Sequence, residues 1–334
     1  MKIGENKIGS GEPVYIIAEI GSNHDGEIEQ AKELIAAARD CGADAVKFQS
    51  FTAAGLVSPR YENIYNAFKA VEMPPEWLPE LSEYARKQEI VFLSTPFDEA
   101  HATTLNELGM LAFKVASGDL THHPLLRHIV RFGKPVILST GMATLEEVKE
   151  AVGVIRYEGN DDIILLHCVS NYPPQMEDIN LRAIQTLARE FALPVGFSDH
   201  SPGTTAALGA VALGACLIEK HITIDKTLPG PDHPYALETA EFKEMVAQIR
   251  LLGKAMGDGI KRPVEAEIPE RNWARRGIYA ATGIKKGTVI ISAMLKIVRP
   301  ALGTLPPSSL GNIVEKPAKR DITAEEAITK DDYE

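Results

Sequence analysis

Eight short apolar runs, each closing on polar or charged residues, recur along the first two thirds of this 334-residue chain, with room for a helix between neighbours. They are VYIIAEIG (14–21), AVKFQSF (45–51), VFLSTPF (91–97), AFKVASGD (112–119), PVILSTGM (135–142), IILLHCVS (163–170), PVGFSDH (194–200) and LIEKHITI (217–224). Strands covered on both faces read as near-continuous apolar runs rather than alternating ones. The runs start roughly every 29 residues, the length of a βαβ unit. An open doubly wound sheet has no need of a polar residue at every strand end. The pattern therefore predicts a (β/α)8 barrel, an α/β fold whose chemistry gathers at the C-terminal strand ends. Glu19, Lys47, Thr95, Lys114, Ser117, Ser139, Ser170, His200 and His221 occupy those ends and are expected to converge on one pocket.

The segments between the runs have helical periodicity: 28–40, 75–88, 98–109, 145–157, 179–191, 204–215 and 239–256. In the first, Ile28, Ala31, Leu34, Ile35 and Ala38 share one face. HPLLRHIVRFG, after the fourth run, is a shorter helix ending at a glycine. Past residue 256 the texture changes. Residues 257–275 are charged and carry Pro and Gly, which reads as a linker. Residues 276–334 alternate short β-prone runs with glycine and proline turns, which predicts a small, mostly β domain. The expected division is a barrel over 1–256, a linker over 257–275 and the small domain over 276–334.

A formal net charge of −11 argues against a general affinity for nucleic acid or for anionic membrane. The first residues lack a charged region leading into an apolar one, and no run is long enough to span a bilayer, so a cytoplasmic protein is expected. Cys41, Cys168 and Cys216 are too scattered for a disulfide framework or a CxxC metal site and read as buried thiols. There is no G-x-x-x-x-G-K-[ST] loop, no G-x-G-x-x-G after the first strand and no G-x-S-x-G elbow.

His200 and His221 close consecutive runs, so a barrel brings them within reach of one divalent ion, with Asp199, Glu219, Asp232 and Glu19 near enough to complete or orient the sphere; the alternative is that both rings bond loop backbone. Lys47 and Lys114 lie inside apolar runs, where an unpaired ammonium is expensive to bury. With the hydroxyls of Thr95, Ser117 and Ser139 beside them, they suit a phosphate or carboxylate; the alternative is that each lysine pairs with a carboxylate of the chain. Glu19, at the barrel mouth, could position water or shuttle a proton, or accept bonds from loop amides. Tyr172, before Pro173 and Pro174, shapes a loop there; His24, His122, His123, His167 and His233 read as solvent or packing residues.

AEIGSNHDG, AVKFQSF, STPFDEA, KVASGD, KPVILSTGMAT, LLHCVSNYP, GFSDHS, EKHIT and GPDH occur in an order and spacing that resemble the sialic acid synthase family. The resemblance covers nearly the whole chain. It implies condensation of phosphoenolpyruvate with the open-chain aldehyde of an N-acylated mannosamine-type sugar, giving a nonulosonic acid and phosphate. By that resemblance Lys47, Thr95, Lys114, Ser117, Ser139, Ser170 and Ser198 bind phosphoenolpyruvate, and Tyr172 joins the substrate contacts. His200 and His221 match ligands of a divalent metal, Mn2+ before Mg2+ or Co2+; Glu19 matches the catalytic carboxylate and Asp232 a residue near metal and sugar. The last segment resembles the antifreeze-like SAF domain, which implies a domain-swapped homodimer, and Arg299 matches an arginine that reaches the sugar's N-acyl group. Asp119 stands where N-acetylneuraminate synthases carry Glu, and PALGTLPPSSLG departs from the usual glycine-rich pattern, so the acceptor sugar stays open. A condensing enzyme for a phosphorylated aldose, a metal-free Schiff-base aldolase using Lys114 or Lys47, and a non-catalytic sugar-binding protein are the rival readings.

Overall fold

Each of the eight apolar runs forms a strand in the computed structural model, which describes residues 1–334. The strands are β1 (Tyr15–Glu19), β2 (Ala45–Ser50), β3 (Val91–Pro96), β4 (Phe113–Val115), β5 (Val136–Ser139), β6 (Ile163–Cys168), β7 (Val195–Asp199) and β8 (Leu217–Thr223). They pair in parallel in the spatial order β3-β2-β1-β8-β7-β6-β5-β4, so the ring is closed except at the seam between β3 and β4. Register aligns the polar ends: Glu19 lies opposite Lys47 on one side and His221 on the other, and Ser198 lies opposite both Cys168 and Glu219.

Eight helices cover the ring: α1 (Ile28–Asp40), α2 (Trp77–Lys87), α3 (Glu99–Glu107), α4 (His123–Val130), α5 (Leu145–Tyr157), α6 (Ala183–Phe191), α7 (Thr205–Ala212) and α8 (Thr239–Met256). Their local logic is visible in α5. Thr144 and Glu147 form a reciprocal capping box at its start, and Val148, Ala151, Val152 and Ile155 make the buried stripe that holds it to the sheet. In α8 the stripe is Phe242, Met245, Val246 and Ile249.

The fourth run yields a strand of only three residues, because Ser117–Asp119 turns into a 3-10 helix. Likewise α6 starts at Ala183 rather than 179, the residues before it being bent around the 3-10 turn Met176–Asp178. Two short helices, Ala53–Leu56 and Glu62–Ala70, occupy the β2–α2 connection, where the periodicity gave none. The second of them has no buried residue, so it lacks the stripe by which its neighbours are recognised.

Inside the ring, Gly196 shows how tightly the layers fit. A Cβ there would stand 2.5 Å from the Leu217 carbonyl oxygen and 2.7 Å from Leu166 Cδ2. No side chain can enter without moving a strand.

The chain divides into two units, Met1–Gly257 and Asp258–Glu334. The second begins with a 3-10 turn, Glu265–Glu267, and the helix Ile268–Ala274, both within the stretch expected to be a linker. Its two named strands, Gly277–Ala280 and Leu295–Val298, pair antiparallel, and Ile278, Ile284, Ile290, Ile313, Ile322 and Ile328 are among the residues of its own small core. No helix of the chain is long and apolar enough to cross a membrane.

Candidate active site

The C-terminal strand ends of the barrel surround a cavity of about 520 Å³. Two buried lysines form its floor. Lys47 is ion-paired with Glu19 at 2.6 Å and donates to Thr95 Oγ1 at 3.1 Å. Lys114 donates to Ser139 Oγ at 2.7 Å and to the Val115 carbonyl at 3.0 Å. Glu219 lies between them, 3.8 Å from each ammonium, and accepts from Ser198 Oγ at 2.7 Å. Both alternatives weighed for the lysines are thus present together: each has a carboxylate nearby, and each opens onto a cavity lined with hydroxyls.

The two carboxylates are driven in opposite directions. Burial raises Glu19 from its ordinary 4.5 to about 7, with Lys47 pulling against it and Glu219 adding repulsion. Burial would raise Glu219 as well, but Lys114 and Lys47 outweigh it and hold that carboxyl down at about 2. Burial also opposes the charge on both lysines. In Lys47 the adjacent Glu19 and Glu219 reverse the effect, whereas Lys114, further from a carboxylate and repelled by Lys47, stays lowered. When Glu19 is protonated, two ammoniums face one carboxylate and the floor carries surplus positive charge. Glu219 Oε2 and Ser170 Oγ are buried there without a hydrogen-bond partner, as acceptor and donor groups left for a ligand or its water.

Across the ring from Lys114, β1, β7 and β8 build the opposite rim. The His200 and His221 rings lie 5.5 Å apart between centroids. Val169 O lies 3.1 Å from His200 Nδ1, which is also near Cys168 Sγ at 3.8 Å; that leaves the other ring nitrogen for the cavity. His221 Nδ1 is buried with no partner, and burial lowers that imidazole to about 3, keeping it neutral. Asp232 Oδ2 is 3.8 Å from the same nitrogen. Asp232 accepts from Ser22 N at 3.1 Å, Ser22 Oγ at 2.9 Å and Tyr235 OH at 2.6 Å, and these donors with His221 keep it below the usual carboxylate range against the pull of burial. In His200 burial also opposes the charge, but Cys168 and the Val169 carbonyl outweigh it and raise that imidazole. Two imidazoles at this distance, one of them neutral with an orphaned nitrogen, suit a first-row divalent ion. No third His, Cys, Asp or Glu completes a ligand cluster with them, so other positions would fall to water or substrate oxygens.

Of the residues singled out in the sequence, Glu19, Lys47, Thr95, Lys114, Ser117, Ser139, Ser170, Tyr172, Ser198, His200, His221 and Asp232 all line this cavity. Asp119 does not; it sits half-buried in the 3-10 turn behind Ser117, with burial raising its carboxyl to about 6. Arg299 is exposed in the second unit, just past the strand Leu295–Val298. Asp199, counted among possible metal helpers, points away: it is ion-paired with Lys220 at 2.8 Å and accepts from Ser201. Cys168, read as an inert buried thiol, is buried but lines the cavity beside His200.

Other lining residues were not legible. Gln49 donates to Glu19 Oε1 at 3.0 Å, and its position two residues beyond Lys47 in the same strand was the available signal. Phe51, Phe68 and Phe97 form an apolar wall, with Phe51 edge-on to the other two at 5.7 and 5.5 Å. Phe68 comes from the unpredicted helix Glu62–Ala70.

The chain matches the NeuB family over residues 34–261 and the SAF domain over residues 275–334. It is 47% identical over 332 residues to an uncharacterized protein of Methanocaldococcus jannaschii, covering 99% of this chain and 98% of that one. It is 42% identical over 333 residues to the N,N'-diacetyllegionaminic acid synthase of Legionella pneumophila, covering 95% and 93%. Among solved structures, the N-acetylneuraminic acid synthetase of Leptospira borgpetersenii, in complex with citrate, superposes with a TM-score of 0.77 at 38% identity, over 81% of this chain and 94% of that one.

Proposed function

The chain belongs to the NeuB family, and from that premise we propose that it condenses phosphoenolpyruvate with the open-chain form of an N-acylated mannosamine-type aldose, giving a nonulosonic acid and inorganic phosphate. The observation that carries this reading is the pair of buried lysines, Lys47 and Lys114, set among hydroxyls beneath a rim with the imidazoles of His200 and His221. Phosphoenolpyruvate brings a phosphate and a carboxylate, and the lysines with Thr95, Ser117, Ser139, Ser170 and Ser198 offer it charge and directed donors. Their strand-end placement fixes it before the reaction starts, so the catalysis they supply is orientation and electrostatics.

His200 and His221 would hold a divalent cation, Mn2+ in preference to Mg2+ or Co2+. Such an ion, when bound, polarises a carbonyl oxygen as a Lewis acid. The chain's own groups account for the rest. Asp232, fixed by Ser22 and Tyr235, orients the acceptor beside His221. The C3 carbon of phosphoenolpyruvate bonds to the aldehyde carbon as the enol C=C and aldehyde C=O π bonds open; the aldehyde oxygen takes up a proton to become a hydroxyl, and positive charge develops at the carbon bearing phosphate. Glu19, poised at about 7, takes a proton from the water that adds there. The tetrahedral carbon then expels phosphate by C–O cleavage, while the lysines hold the leaving group in place.

The wall of Phe51, Phe68 and Phe97 suits acyl or deoxy methyl ends of an amino sugar better than a second phosphate, because the lining lysines are both committed to the floor. The same reading includes a homodimer and an acyl-group contact from Arg299. The test is phosphate release from phosphoenolpyruvate with Mn2+, with and without chelator, against N-acetylmannosamine and 2,4-diacetamido-2,4,6-trideoxymannose, with product masses recorded. Chelator-sensitive release with one of them, and a product of summed mass less phosphate, is the expected result. Release with neither would overturn the proposed acceptor class.

A further inference from the structure

His233 and Asp25 were invisible as functional residues in the sequence, and neither lines the cavity, yet they meet in the interior. His233 is fully buried, and its Nε2 lies 3.0 Å from both oxygens of Asp25. A carboxylate only accepts, so Nε2 carries the proton. The other ring nitrogen is 2.7 Å from Thr223 Oγ1, the last residue of β8. Asp25 is itself held by Gln30 Nε2 at 2.9 Å, and Gln30 also donates to the Asn23 carbonyl at 2.6 Å. Asn23 Nδ2 reaches the Ile222 carbonyl at 2.9 Å. The backbone of Gly230 passes so close that a Cβ there would stand 2.5 Å from Asp25 Oδ1 and 2.8 Å from His233 Cδ2. These bonds fasten the loop after β1 to the loop after β8.

Both cavity-side partners ride on that fastening. Asp232 immediately precedes His233, and Ser22, which donates to Asp232 twice, lies three residues before Asp25. A bond between two loops fixes a carboxylate only if the loops themselves are fixed. We infer that Asp25, His233 and Thr223 are positioning residues: a buried clasp that holds Asp232 and Ser22 in place beside His221, on the acceptor side of the cavity. The clasp touches no substrate and acts through Asp232. Its kinetic part rests on the condensation proposed above.

The test uses the full-length protein with Asp25→Asn, Thr223→Val and Gly230→Ala, and with Thr223→Ser as the conservative control. Two measurements are made on each: KM for the acceptor and for phosphoenolpyruvate separately, and amide hydrogen exchange across residues 228–237 relative to the barrel strands. The clasp predicts faster exchange in that segment alone and a loss of about tenfold or more in kcat/KM for the acceptor, the scale on which supporting hydrogen bonds act. The KM for phosphoenolpyruvate stays put, and Thr223→Ser retains wild-type behaviour. Equal effects on both substrates, or exchange unchanged in folded variants, would overturn it. A wild-type protein that turns over no acceptor would sink the proposed reaction alone, and the exchange measurement would still decide whether the clasp exists.

Discussion

Replacing Glu219 by glutamine keeps the shape of the side chain and an acceptor for Ser198, but deletes a negative charge 3.8 Å from both Lys47 and Lys114. The structure sets the size of the effect. A carboxyl held at about 2 instead of 4.5 is stabilised in its charged form by on the order of 3 kcal/mol. Two responses reduce what the variant loses. Lys114, already lowered by burial, can shed its proton, and Glu19, freed from Glu219's repulsion, ionises more readily and supplies part of the missing charge. The expected destabilisation at neutral pH is therefore about 2 kcal/mol, or a fall in Tm of roughly 4–8 °C for a domain of this size. Because the folded-state value lies below the ordinary one, this stabilisation is complete above pH 4.5 and is lost as pH falls toward about 2, so the gap between wild type and variant narrows in acid. Thermal melts across pH measure it. Calorimetry with inorganic phosphate supplies the second arm: the variant should bind the anion more tightly, since the ammoniums have lost their internal counter-charge. An unchanged Tm with unchanged phosphate affinity would refute the charge balance described for the floor.

Glu19→Gln should lower kcat by about 10²- to 10⁴-fold and remove the titration near pH 7 from the rate profile; its folded value is raised, so its stabilising contribution is present below pH 4.5 and lost as pH rises through about 7, and the variant's stability should lack that slope. His221→Ala should retain less Mn2+ per chain after dialysis, read by elemental analysis; wild-type metal content would contradict the paired-imidazole site. Gly196→Ala should cost about 1–3 kcal/mol by overpacking, measured by denaturant unfolding, and a neutral result would mean that the strand around Leu217 yields more easily than its packing indicates. Arg299→Ala should raise the acceptor KM and leave that for phosphoenolpyruvate unchanged, which steady-state kinetics will resolve.

The barrel was legible because its signal is redundant. Eight runs and eight covering helices each repeat the same statement, so a strand shortened to three residues at Phe113–Val115 does not disturb the reading. The helix Glu62–Ala70 carries no such redundancy. It stands outside the βα repeat and buries no residue, so neither spacing nor an apolar stripe announces it, although its Phe68 lines the cavity.

Within the site, the strand ends were legible as a set but not by face. LIEKHITI presents three consecutive polar side chains, Glu219, Lys220 and His221, and a barrel strand is buried on both sides, so burial cannot tell which of them meet the cavity. Alternation does. Glu219 and His221 point inward, while Lys220, opposite Asp199 in the ladder, pairs with it on the outer face. Asp199 and Ser198 divide in the same way, which is why proximity in sequence to His200 made Asp199 look like a metal helper and register assigns it to a structural ion pair. His233 poses the converse difficulty: its role depends on Asp25 and Thr223 arriving from separate loops, and no spacing within one segment encodes that meeting. What periodicity can locate is therefore a side chain anchored to its own strand; a residue that acts through another loop becomes visible only once the ring has closed.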